Sequence, residues 1–270
     1  MASVFRDNLF EGKTAFFTGG TSGIGFGIAT RFAELGCKVS LNGRNREKME
    51  AAVAELRGRG FAANGYSADV RNYTDLDAAL AEAHASFGDI DFLFCAAAGN
   101  FPAPVLGMSA NGFKAVIDID LLGTFNTVRA AHARMRKPGA VAIAISANHA
   151  HVAYPLQSHV CAAKAGIELL FKTLALEWGP QGIRCNCIEP GPIDDTEGMR
   201  RLAPTEDSRR GVVSAVPLRR MGSKDDIANA AVFLCSDAAS YVTGAVYQVD
   251  GGIALTGPRS LDIPIPGSAH

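Results

Sequence analysis

Short runs of consecutive apolar residues alternate along this chain with longer stretches in which apolar residues return every three or four positions. Lys13–Thr18, Cys37–Asn42, Asp91–Ala96, Val141–Ser146, Ile183–Ile188 and Ala245–Val249 read as strands, and another leads into Ser67-Ala68-Asp69-Val70. Runs such as Val141-Ala-Ile-Ala-Ile145 are apolar on both faces, as in a parallel sheet covered by helices on both sides. Helices are expected over Ile24–Leu35, Glu47–Leu56, Leu76–Phe87 and Ser158–Trp178, with one long helix filling Gly112–Arg136. Repeated strand–helix–strand units imply right-handed crossovers and an α/β fold with a doubly wound parallel sheet. The rhythm contains no linker or repeat, so residues 1–270 are expected to form a single domain. From Glu189 to Met221 it is interrupted by prolines and mixed charge, and about 190–221 reads as a mobile lid over a site.

Composition narrows the partners. The chain has 270 residues, is 48% hydrophobic and carries a formal net charge of -1, which argues against nucleic acid. No window approaches a membrane-spanning apolar run, and the N-terminus lacks a signal-peptide pattern. The last residues, Gly267-Ser268-Ala269-His270, are not a Ser-Lys-Leu type address; the expected location is cytoplasmic, with an organelle matrix as the alternative. Six cysteines occur without a C-x-x-C pair, and Cys185 and Cys187 point to one face of a strand; buried reduced thiols are expected. Motifs of the H-E-x-x-H kind are absent, so no metal is expected.

The strongest local signal lies between the first strand and first helix. Gly19, Thr21, Ser22, Gly23, Ile24 and Gly25 form a glycine-rich turn whose free N–H groups suit a pyrophosphate, the start of a Rossmann-type dinucleotide site. The second strand ends without the acid that would hold a ribose 2′-hydroxyl. Arg44, Asn45, Arg46 and Lys48 follow instead, which favours the 2′-phosphate of NADP(H); a solvated helix start is the plain alternative. Asp69 ends the third strand beside Val70 and is a candidate acceptor for the adenine amino group, or else a cap.

The glycine pattern, Cys95-Ala-Ala-Ala-Gly99, Lys164, Asn186-Cys-Ile-Glu-Pro190-Gly191 and Tyr241-Val-Thr-Gly244 with Val249-Asp-Gly-Gly252 resemble the short-chain dehydrogenase/reductases over nearly the whole chain. The usual member has a serine, a tyrosine and a lysine, with an asparagine on the preceding helix. This chain keeps Lys164 but has Val160 at the tyrosine position, Ala147 at the serine position and Asp120 at the asparagine position. Ala97-Ala98-Gly99-Asn100-Phe101, Asp118-Ile-Asp120, Glu177-Trp-Gly-Pro-Gln181 and Pro190-Gly-Pro-Ile193 with Thr196-Glu-Gly198 are similar to 2,4-dienoyl-CoA reductases, the peroxisomal type above all. The mitochondrial type has a tyrosine where this chain has His149.

The resemblance implies NADPH-dependent reduction of a 2,4-dienoyl-CoA to a 3-enoyl-CoA in unsaturated fatty-acid oxidation, by a homo-oligomer, usually a tetramer. It implies an acid/base role for Asp120 and contact of Lys164 with the nicotinamide ribose. Pro190, Gly191, Pro192, Ile193 and Thr196 are implied at the cofactor, and Arg71, Phe101, Ser109, Ala110, Asn111 and Arg201 at the acyl-CoA substrate. A ketone reductase must protonate an alkoxide, whereas a dienoyl thioester accepts hydride at C5 and moves charge to the thioester oxygen, which needs stabilisation rather than lasting protonation. Alternatives are a trans-2-enoyl-CoA or carbonyl reductase with a displaced donor such as His149 or Tyr154, and a cofactor-binding pseudoenzyme. His149, His151 and His159 cluster near the centre, with structural roles expected for each.

Overall fold

The computed structural model describes residues 4–256. Seven parallel strands form one sheet in the order β3-β2-β1-β4-β5-β6-β7. In chain order the first half runs β1 (Thr14–Thr18), α1 (Gly23–Glu34), β2 (Lys38–Asn42), α2 (Arg46–Gly58), β3 (Ala63–Tyr66), α3 (Tyr73–Phe87) and β4 (Phe92–Cys95). The second half runs α4 (Ala110–Ile117), α5 (Gly123–Ala131), β5 (Val141–Ile145), α6 (Ser158–Trp178), β6 (Arg184–Pro190), α7 (Glu197–Leu202), α8 (Glu206–Ala215), α9 (Lys224–Cys235) and β7 (Val246–Val249). The strand order reverses between β1 and β4, which opens a crevice at their C-terminal ends.

Alternation along the strands feeds two cores, because successive side chains leave a strand on opposite faces. Phe17 joins α1, α2 and α9 on one face, and Phe16 joins α3, α5 and α6 on the other. Phe32 of α1 is fully buried, with its ring centroid 4.8 Å from Phe10, 5.5 Å from Phe92 and 5.0 Å from Phe94. This aromatic packing fixes α1, and with it the glycine turn, against the sheet.

The expected elements recur with four differences. The stretch expected as one helix over Gly112–Arg136 is instead α4, a π-helical turn over Asp118–Leu122, α5 and a short 3₁₀ turn at His132–Arg134. The π turn adds a residue without interrupting the apolar spacing. The third strand ends at Tyr66, short of Asp69, because the Asn42 side-chain amide donates to the Tyr66 and Ala68 carbonyls and draws the chain out of the ladder. The segment expected as an irregular lid folds partly into α7 and α8; its two ends meet where Asp194 N–H donates to Gly222 O at 2.8 Å and Gly222 N–H to Pro192 O at 2.9 Å. Helix α9, absent from the sequence expectations, opens with a reciprocal cap between Ser223 and Asp226 and buries Ile227, Ala231 and Leu234.

Truncation of Phe32 to alanine is expected to cost about 3–5 kcal/mol of stability. Guanidinium denaturation checks this; an unchanged midpoint would show that α1 is not held by this aromatic cluster.

Candidate active site

The crevice at the strand reversal is a cleft of about 460 Å³. Gly19 has φ +67°, and a Cβ there would lie 2.5 Å from the Ala96–Ala97 backbone. A Cβ on Gly25 would lie 2.4 Å from Gly19 O. Helix α1 starts without a side-chain cap and without an acid in its first turn, so its N–H groups and positive dipole end face the cleft. These features fit a dinucleotide pyrophosphate.

Beyond β2 the charged side chains differ in what they face. Asn42 is buried and spends its amide on β3 carbonyls, while Asn45 caps α2 by accepting from Lys48 N–H at 2.8 Å. Arg44 and Lys48 line the cleft, exposed, and among the described residues neither forms an ion pair. Arg46 differs: it turns away to Glu50 at 2.7 Å, outside the cleft lining. Asp69 lines the cleft, but both its oxygens bind Arg71, with Nη2 at 2.6 Å and Nε at 2.9 Å. That hydrogen bonding holds the Asp69 carboxyl below its usual range against a smaller effect of burial. The residue thought free for adenine is therefore tied to the residue thought free for substrate.

Thr196 also lines this cleft, and its hydroxyl caps α7 at Met199 N–H. Gly191, Pro192 and Ile193 instead line a neighbouring cleft with β7 and the Asp250–Gly252 turn. Pro190 ends β6 against Val249. Of the expected substrate residues, Ser109 caps α4 at Gly112 N–H, followed by exposed Ala110 and Asn111. Arg201 pairs with Glu197 on α7. Phe101 rests on the imidazole of His159 at 4.6 Å between ring centroids.

The chemical centre is built by α6 and the π turn. Asp120 is fully buried, and its Oδ1 accepts from Gly99 N–H at 2.7 Å. Its Oδ2 faces Lys164 Nζ at 3.2 Å, off the line of an ordinary hydrogen bond. Lys164 Nζ also donates to Ile145 O at 3.1 Å. An ammonium has three protons, so even with one turned to Asp120 a donor direction of Lys164 is left for a ligand. Where a tyrosine would stand, Val160 packs into an apolar cluster with Val116 and Ala163. Ala147 follows β5 with no hydroxyl, and the hydroxyl of the preceding Ser146 donates away to Glu168 at 2.7 Å.

The nearby rings are poor replacements for the missing phenol. Burial, and then Lys164, lower the His149 imidazole to about 4 against an opposing hydrogen bond with Gln157, so it is neutral at neutral pH. Tyr154 stacks on His149 at 4.1 Å and accepts from Asn148 Nδ2 at 2.7 Å; burial raises its pKa. His159 is fully buried, and neither ring nitrogen has a hydrogen-bond partner among the described residues. All six cysteines are free; burial raises those at 37, 95, 185, 187 and 235, which keeps them as thiols.

Residues 19–254 match the family described as Enoyl-(Acyl carrier protein) reductase. The chain is 43% identical over 253 residues to a peroxisomal 2,4-dienoyl-CoA reductase of Saccharomyces cerevisiae, covering 92% of this chain and 86% of the relative. The chain belongs to the short-chain dehydrogenase/reductase family. A second family relative, the peroxisomal 2,4-dienoyl-CoA reductase of Pongo abelii, is 43% identical, with 96% and 89% of the two chains covered. A probable 2,4-dienoyl-CoA reductase of Bacillus subtilis, named for a (2E)-enoyl-CoA product, is 40% identical with 90% and 96% covered. Among solved family structures, gluconate 5-dehydrogenase of Burkholderia cenocepacia in complex with NADP and tartrate superposes with a TM-score of 0.87 at 29% identity, covering 93% of this chain and 99% of that one. The family, and the solved relative with NADP bound, support a nicotinamide cofactor. No described helix is long and apolar enough to cross a membrane.

The depressed His149 sets a pH dependence. Unfolded, its pKa returns to about 6.5, so below that pH the unfolded chain takes up a proton that the folded chain refuses. Stability from this residue is therefore complete above about 6.5 and is lost as pH falls toward about 4. Replacing His149 by glutamine is expected to remove on the order of 2 kcal/mol of the stability difference between pH 7.5 and pH 4.5. Urea denaturation at the two pH values reads this; an identical difference in both proteins would reject it.

Proposed function

We propose that the chain is an NADPH-dependent 2,4-dienoyl-CoA reductase forming a 3-enoyl-CoA, with Asp120 and Lys164 as its catalytic residues. The observation that carries this reading is the fully buried Asp120 carboxylate beside Lys164 in a centre where Val160 and Ala147 remove both usual hydroxyls. Kinship with the dienoyl-CoA reductases named above supports the substrate class.

NADPH, when bound, supplies a hydride for C5 of the conjugated thioester. The chain's own residues manage the resulting charge and the proton. Lys164 Nζ, 3.2 Å from Asp120 Oδ2, directs a free donor toward the ribose hydroxyls and contributes positive potential near the thioester oxygen. Asp120 Oδ2, which lacks an ordinary hydrogen bond, orients a water that passes a proton to C2. Protonation at C2 leaves the double bond at C3; the hydroxide left from that water takes up a solvent proton, so one solvent proton is consumed with each hydride while Asp120 holds the water in place. The apolar wall of Val160, Val116 and Ala163 offers no donor of its own.

NADPH is favoured over NADH by Arg44 just after β2 and Lys48 in the first turn of α2, where the described lining has no free acid. Arg71, Phe101, Ser109–Asn111 and Arg201 are assigned to the acyl-CoA; for the two arginines this means exchanging Asp69 and Glu197 for phosphate oxygens. Exposed Phe125 on α5, and Leu169 and Leu176 on α6, suit burial between copies in a homo-tetramer. Buried free thiols fit a reducing compartment, the cytoplasm or an organelle matrix.

The assay is parallel loss of NADPH and dienoyl absorbance with 2,4-dienoyl-CoA thioesters; absence of turnover across chain lengths would reject the assignment. Asp120→Ala and Asp120→Asn are expected to lower kcat about 10²–10⁴-fold with NADPH affinity unchanged. Wild-type kcat in both would remove Asp120 from the chemistry.

Arg44→Ala should weaken NADPH binding about tenfold to a hundredfold and leave NADH within about twofold. Fluorescence titration separates the two; equal weakening would overturn the 2′-phosphate role.

A further inference from the structure

One helical turn beyond Lys164, a second set of ionisable groups closes the space between α6 and the ends of β5, β6 and β7. Glu168 stands on α6, Glu189 near the end of β6, and His151 in the loop after β5. One ligand-type atom from each, an imidazole nitrogen or a carboxylate oxygen, lies within 4.8 Å of the other two. Glu189 is fully buried, Glu168 nearly so, and His151 reaches solvent.

Two of the three groups, Glu168 and His151, are oriented from outside. Ser146 Oγ donates to Glu168 Oε1 at 2.7 Å. The Gln248 amide meets His151 Nε2 at 3.3 Å, which turns Nδ1 inward to 3.2 Å from Glu189 Oε1. Outer partners of this kind are what fix the tautomer and rotamer of metal ligands. Neither Glu189 oxygen receives a hydrogen bond of ordinary geometry among the described residues. No lysine or arginine among them forms an ion pair with Glu168 or Glu189; Lys164 is committed to Asp120 and Ile145 O. Two buried carboxyl groups with no lysine or arginine paired to them are costly as charges; burial, with Glu168 adding to it, raises the Glu189 carboxyl, and a bound cation relieves the same cost.

We infer that His151, Glu168 and Glu189 form a binding site for a divalent transition-metal cation, with zinc as the best match. One imidazole and two carboxylates are a donor set that Zn²⁺ accepts, and His151 disfavours the all-oxygen cations Mg²⁺ and Ca²⁺. Zinc bonds of about 2.0–2.2 Å require tetrahedral ligand atoms about 3.5 Å apart, so the carboxylates draw inward on binding. A water entering beside the exposed His151 completes four ligands. The ion would join the loop after β5 to α6 and to the strand end that leads into Pro190. It thereby steadies elements that carry Lys164 and the cofactor loop without touching the reacting atoms. The three ligands come from separate elements, so no local spacing announces them.

The test uses the full-length protein, stripped with chelator and then titrated with zinc chloride alone, without cofactor or acyl-CoA. Retained zinc after gel filtration and the thermal midpoint are read in wild type, His151→Ala and Glu189→Gln. The expected result is one zinc per wild-type chain and a midpoint raised by several degrees, with affinity at least tenfold weaker in both variants. Magnesium chloride at the same concentration should give no shift. His151 is partly exposed, so His151→Ala remains informative if Glu189→Gln fails to fold. Failure of wild type to retain zinc, or retention by His151→Ala as tight as wild type, as thiol binding would give, overturns the site.

Discussion

The contact between Asp120 and Lys164 is the constraint around which the rest of the centre is arranged. A buried ion pair is a net cost unless its remaining donors and acceptors are satisfied. Gly99 N–H and Ile145 O satisfy one side of each partner. Those two backbone groups belong to the loop after β4 and to the end of β5, so the pair ties the centre of the sheet to α6. The π turn is what brings Asp120 there: it shifts the side chain toward Lys164 while α4 and α5 continue on either side. π turns recur at functional sites for this reason, since they re-aim one residue without unfolding a helix.

The cofactor end is governed by steric exclusion rather than by charge. Gly19, Gly25 and the Ala96 backbone approach so closely that no side chain fits between them. This contact holds the start of α1 at the mouth of the reversed sheet, where its bare N–H groups are available. Charge then acts one strand away, through Arg44 and Lys48. The two effects are separable in space, so the same frame suits either nicotinamide dinucleotide, and on the proposed assignment the side chains after β2 select between them.

Much of this was legible because it is local. Doubly apolar strands, the glycine turn and the register of Lys164 each occupy a few consecutive residues. Asp120 was found by its place in a motif, but its π turn was hidden because one added residue leaves the apolar spacing of Gly112–Arg136 intact. Helix α9 carries a local signal in its Ser223–Asp226 cap, and its apolar face is short. Arg46 and Arg71 were assigned by type and position, whereas their ion pairs depend on side-chain reach that spacing does not encode. The assembly of His151, Glu168 and Glu189 was invisible for a stronger reason: only the parallel packing of β5, β6 and β7 beside α6 brings them together.

The loss of both hydroxyls acquires meaning on the proposed reaction. A dienolate carries electron density at C2 and at C4, so the same hydride addition leads to a 3-enoyl or a 2-enoyl thioester according to where the proton lands. Relatives of similar identity bear names for both products, so the common fold does not choose between them. A phenol and a serine hydroxyl would add donors around the conjugated chain. With Val160 and Ala147 in their places those two donors are gone, while Lys164 Nζ and Asp120 Oδ2 remain 3.2 Å apart. Product selection then follows from how the acyl chain lies against that pair, with C2 the carbon nearest the thioester that Lys164 attracts. The missing tyrosine is on this reading a gain in regiochemical control, obtained by removing donors rather than by adding one.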